Sequence, residues 1–99
     1  MNFFRIQEAG ITFDEMKKFN SADGGDGNED GLCVSASPNK FGGAWGAYGD
    51  DGEVVIMKGV IICEIYDGYR IRPTSEVARF TKAEWTTKIA DESAWDYED

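Results

Sequence analysis

Residues 53 to 73, EVVIMKGVIICEIYDGYRIRP, constrain this chain most. "EVVIM" (53–57) and "VIICEIY" (60–66) are rich in β-branched residues, which suit a pleated, half-buried surface. Lys58-Gly59 reads as a turn or bulge between two strands. Asp67-Gly68, set between "IICEIY" and "YRIRP", is a two-residue hairpin signal. Tyr69 and Ile71 alternate with Arg70 and Arg72, which gives that strand one wet face. "VARF" (77–80) reads as a last short strand. Earlier in the chain, "NFFRIQ" (2–7) and "LCVSAS" (32–37) have the same character.

Two helix starts interrupt the strands. Thr12 with Glu15, and Thr81 with Glu84, each form a capping box: a threonine N-cap and a glutamate at the third helical position. Ile11 with Met16, and Phe80 with Trp85, have the spacing of the hydrophobic staple. Helices are expected from 13 to 19 or 20 and from 82 to about 90. A third is expected near 38 to 48. Ser37-Pro38 suits a helix start, and Phe41, Trp45 and Tyr48 form one stripe despite three glycines.

The order is strand, helix, strand, helix, then several strands and a helix. This predicts an α+β fold with a small, mostly antiparallel sheet of four to six strands and two or three short helices. A chain of 99 residues, 41% hydrophobic, is expected to form one domain. We place that domain over residues 1–90, followed by an acidic C-terminal tail over 91–99.

Charge and composition exclude several functions. Nineteen acids against ten bases give a net charge of −9, which disfavours direct binding to nucleic acid or to an anionic membrane. The absence of histidine excludes a Ser-His-Asp triad, a Cys-His pair and any His-ligated metal. Cys33 and Cys63 have neither zinc nor disulfide-framework spacing, and read as buried reduced thiols. Met1 to Ile11 lacks the apolar block of a signal peptide, so a cytoplasmic protein is expected. No cofactor is called for by the residues themselves.

"SADGGDGNEDG" (21–31) carries four acids and no base. Asp26, Asn28, Asp30 and Gly31 match the opening of a calcium loop, but the twelfth position, where a bidentate glutamate belongs, is Ser37. The stretch reads instead as a solvated turn or an acidic contact surface. The candidate partner-binding residues are Asp23, Asp26, Glu29 and Asp30 in this stretch, Asp50 and Asp51 in the next turn, and Asp96 and Glu98 in the tail. Trp95 and Tyr97 would supply anchoring area. A basic protein or nucleoprotein complex is the partner that such acids would attract.

In size, acidity and its single α+β domain, the chain resembles the small phage-encoded inhibitors of bacterial defence, the anti-CRISPR proteins. That resemblance implies a stoichiometric inhibitor that occupies the basic groove of a nucleic-acid-binding effector, as a mimic of nucleic acid. A narrower stretch, "FFRIQ", "CVSAS" and the long strand-rich run, is similar to small ADP-ribosyltransferase-like proteins. That similarity implies NAD binding, with Arg5 on the phosphates, Ser35 and Ser37 as the Ser-x-Ser element and Glu76 on the ribose.

Overall fold

A computed structural model describes residues 1–17, 31–38, 51–65 and 68–97. The elements are β1 (Phe3–Glu8), α1 (Phe13–Lys17), β2 (Leu32–Val34), β3 (Gly52–Ile65), β4 (Gly68–Thr81) and α2 (Lys82–Ala90), then a 3-10 turn, Ser93–Tyr97. The expected α+β class with an antiparallel sheet is what the structure shows, with four strands in the order β1-β3-β4-β2. The helix expected near 38–48 lies outside the described residues, Pro38 excepted, as do 18–20.

The strands number four, within the expected range, and two of them are longer than their sequence suggests. No turn forms at Lys58-Gly59; β3 runs through it without a break. The irregularity falls on the partner strand instead. Met57 pairs with Glu76 and Ile56 with Ala78, so Val77 is an extra residue in β4; Thr74 is a second. These bulges bend β4 and let Pro73, which has no N–H to give, stay within it. They also join the two short strands expected at 69–73 and 77–80 into one. Gly59 is required by close approach rather than by a turn: a Cβ there would meet the Arg72 carbonyl oxygen at 2.7 Å.

The sheet curls until it closes. Phe3 is level with Met57 and Glu76, whereas Tyr69 lies farther along β4, about 23 Å away at ~3.3 Å per residue. Their rings nevertheless meet edge to face at 5.9 Å. The far half of the hairpin therefore folds back over the near half. Ser35, just past β2, then pairs with Phe4 of β1 and returns the sheet to its first strand. Gly68 makes room for this, because a side chain there would collide with the Val34 carbonyl.

Each face of this curled sheet has its own core. The inner face gathers Phe3, Leu32, Val34, Val55, Met57 and Ile71, with Met16 of α1 fully buried against them. The outer face carries Phe4, Ile6, Val54 and Ile56 under Trp85 of α2 and Ala94 of the 3-10 turn. Both capping boxes form. Glu15 N–H donates to the Thr12 hydroxyl at 3.1 Å and Glu84 N–H to the Thr81 hydroxyl at 3.2 Å. The second staple brings Phe80 and Trp85 into a stack with centroids 5.7 Å apart. The segment expected as a tail contributes to this outer core, since Ala94 is buried and Tyr97 meets Phe80 at 5.6 Å.

Beyond Met57, no described strand pairs with the outer edge of β3, and Val60, Ile61 and Ile62 are exposed there. Ile62 is itself an extra residue, opposite neither Ile71 nor Arg70. Such a bulge breaks the alternation of an edge and guards it against pairing with another chain.

Candidate functional site

One end of the molecule collects carboxylates from four separate elements. Glu8 ends β1 opposite Gly52, and Ala9 N–H donates to the Asp51 carbonyl at 3.0 Å, which sets Asp51 beside the β1–α1 turn. Glu53 lies between that turn and β4: its Oε1 accepts from Gly10 N–H at 3.3 Å, and its residue pairs with Thr81. Asp14 and Glu15 occupy the first turn of α1, and Glu84 the first turn of α2. Acids suit both positions because a helix N-terminus is partly positive. Among the described residues, the bases on these elements at this end are Lys17, Arg79 and Lys82.

Arg79 is the hub of this end. Its Nη1 donates to the Ile11 carbonyl at 2.6 Å and to Glu53 at 3.2 Å, and its Nη2 to Glu76 at 2.7 Å. Burial alone would lower the pKa of this guanidinium. The hydrogen bonds and charges of Glu76, then of Glu53, outweigh burial and hold it above its ordinary value. A cavity of about 470 Å³ opens beside it, lined by Gly10, Ile11, Thr12, Phe13, Glu53, Glu76 and Arg79. Glu53, Glu76 and Arg79 pair with or adjoin inner-face residues, so this cavity is the mouth of the curled sheet beneath the β1–α1 turn.

The acids singled out from the sequence are divided. Asp23, Asp26, Glu29, Asp30, Asp50 and Glu98 lie outside the described residues. Asp51 is exposed at the acidic end. Asp96 is exposed at the other end of β1, where Asn2 Nδ2 donates to the Tyr97 carbonyl at 2.8 Å. The two are separated by the length of β1, on the order of 20 Å. The acids that join Asp51 at this end are Glu8, Asp14, Glu53 and Glu84; Glu76, level with Phe3, lies farther along β4 and is linked to this end through Arg79. The capping boxes hinted at Glu84, but the pairing that brings Glu53 to Thr81 is not local and had no signal in the sequence.

The Arg-Ser-Glu set has mixed placement. The Phe4–Ser35 bridge makes the arginine strand and the serine segment neighbours, and Arg5 Nη1 donates to the Cys33 carbonyl at 2.8 Å. Ser35 shares a face with Phe4, so the Arg5 side chain leaves from the opposite face. The buried Ser35 hydroxyl is tied into a local turn, donating to the Ser37 carbonyl and accepting from Ser37 N–H. Glu76 lies on the face of Arg5, two strands away, and is engaged by Arg79.

The cysteines are half-buried rather than buried. Cys33 and Cys63 each pair with Arg70 from opposite sides, so one residue of β4 stands between them. Among the described residues, no group of three or more His, Cys, Asp or Glu side chains is arranged to hold a metal ion. No described helix is long and apolar enough to cross a membrane. No protein-family model, curated protein or solved structure matches this chain.

Proposed function

We propose that this chain is a small acidic protein that binds, and thereby blocks, a basic nucleic-acid-handling protein or nucleoprotein complex. One observation carries this reading: the fold draws carboxylates from β1, α1, β3 and α2 to one end, where Glu8, Asp14, Asp51 and Glu84 are exposed. A surface of one sign speeds encounter with an oppositely charged partner and competes with phosphates for the same lysines and arginines.

Affinity capture from bacterial lysate, with the triple variant E8Q/D14N/D51N as control, tests this. These side chains are exposed and outside both cores, so the variant keeps its fold. Wild type is expected to recover one basic complex that high salt or competing DNA displaces, and the variant to recover roughly tenfold less. Equal recovery by both proteins, or no specific recovery at low salt, overturns the reading.

A second reading, an NAD-binding domain related to the ADP-ribosyltransferases, is favoured by the Phe4–Ser35 bridge alone, which sets the Arg5 strand beside the Ser-x-Ser segment. Calorimetry with NAD tests it. Binding that is lost in R5A supports it, and no heat at millimolar NAD removes it.

A further inference from the structure

We propose that the mouth of the curled sheet is a socket for a guanidinium or ammonium group, filled by an arginine or lysine side chain of the bound partner. This rests on the partner-binding reading above and names the contact that would anchor it.

Three observations converge on the cavity. Its walls carry two carboxylates, Glu53 and Glu76, whose side chains are 20% and 33% exposed. Both spend Oε1 on the chain's own donors, Arg79 and, for Glu53, Gly10 N–H. Among the described residues, neither Oε2 has a protein donor. The half-buried ring of Phe13 lines the same cavity, and its face attracts cations: the Lys17 ammonium stands 5.5 Å from its centroid. The chain's own cations thus show that these lining groups hold positive charge in two ways, a guanidinium on paired carboxylates and an ammonium on the Phe13 ring.

An anionic occupant is disfavoured at the same place. Arg79 already serves Glu53, Glu76 and the Ile11 carbonyl, so an incoming anion would have to compete with two carboxylates for the guanidinium. Glu8, Asp14 and Asp51 around the mouth raise the local concentration of cations further. A guanidinium suits the site better than an ammonium. A planar fork suits carboxylates and stacks on aromatic rings, and both kinds of group line this mouth.

The test uses the whole chain and a defined probe, N-acetyl-arginine amide, followed by amide chemical shifts. Saturable shifts are expected at Gly10, Thr12, Phe13 and Glu76, with weaker binding of the lysine analogue and none of the uncharged norleucine analogue. Phe13→Leu and Glu76→Gln should each weaken the probe at least threefold while the spectrum stays native. Wild-type shifts that fail to saturate, norleucine binding as tight as arginine, or full binding by both variants overturns the socket. Lysate capture separates this from the broader reading. Capture that survives in E76Q/F13L sinks the socket alone. Probe binding without any captured partner sinks the inhibitor reading, and with it the claim that a partner's side chain fills the socket.

Discussion

Phe4 and Ser35 exchange both of their backbone hydrogen bonds, each 2.8 Å long, across a single bridge. That pair turns an open four-stranded sheet into a closed one. It also orients β1: with Phe4 turned toward Ser35, its neighbours Phe3 and Arg5 direct their backbone groups to β3.

Closure is therefore expected to be fragile at Ser35. Ser35→Pro removes one donor and leaves the carbonyl of fully buried Phe4 without its partner, at a cost of about 1–3 kcal/mol. Ser35→Ala keeps the bridge, loses only the turn with Ser37, and should cost about 1 kcal/mol. Urea denaturation of the two variants would rank them; equal midpoints would mean that the bridge contributes nothing.

Two tryptophans ten residues apart should behave oppositely. Trp85 is 2% exposed, stacks on Phe80, and donates through Nε1 to the Pro38 carbonyl at 3.2 Å. Trp85→Ala should cost about 3–5 kcal/mol by opening the outer core. Trp95 is 39% exposed, and Trp95→Ala should fall within about 0.5 kcal/mol of wild type. Thermal unfolding followed by circular dichroism distinguishes them.

Acid should loosen the C-terminal helix. The Thr81 backbone N–H, and then its hydroxyl, hold the Glu84 carboxyl below its ordinary value of 4.5. The Ser93 hydroxyl and backbone N–H do the same for Asp91, below 3.8. For a carboxyl depressed in the folded state, the stabilisation is complete above the unfolded value and is lost as pH falls through the folded one. Stability should thus hold down to about pH 5 and then decline, less steeply in E84Q than in wild type. A pH series of melting temperatures gives the comparison; parallel curves would rule out a role for the box.

The thiols should remain independent. Cys33 and Cys63 flank Arg70, so their Cα atoms lie two strand spacings apart, roughly 10 Å, beyond the reach of a disulfide. Mass spectrometry after mild oxidation should find no intramolecular bridge in the native protein. Recovery of a Cys33–Cys63 bridge without unfolding would contradict the strand register.

Local chemistry wrote much of this fold into the sequence. The two capping boxes, the Phe80–Trp85 staple and the β-branched runs each depend on residues within a few positions of one another, and each formed where the spacing placed it. Other features depended on partners far along the chain. Lys58-Gly59 looked like a turn because glycine is ambiguous alone; only Arg72 and Ile71, pressed against it, show that it passes through a strand. Pro73 lacks an N–H for the ladder, and the extra residue Thr74 beside it is what accommodates it. The acidic end is the same kind of case. Its charges are plain in the composition, yet Glu8 stands opposite Gly52, Glu53 opposite Thr81, and Arg79 between Glu53 and Glu76 only through the register of three strands. Periodicity and capping are short-range and legible in a line of residues. Closure of the sheet, and the mouth that it leaves, arise from long-range pairing and from which side chains the curl brings face to face.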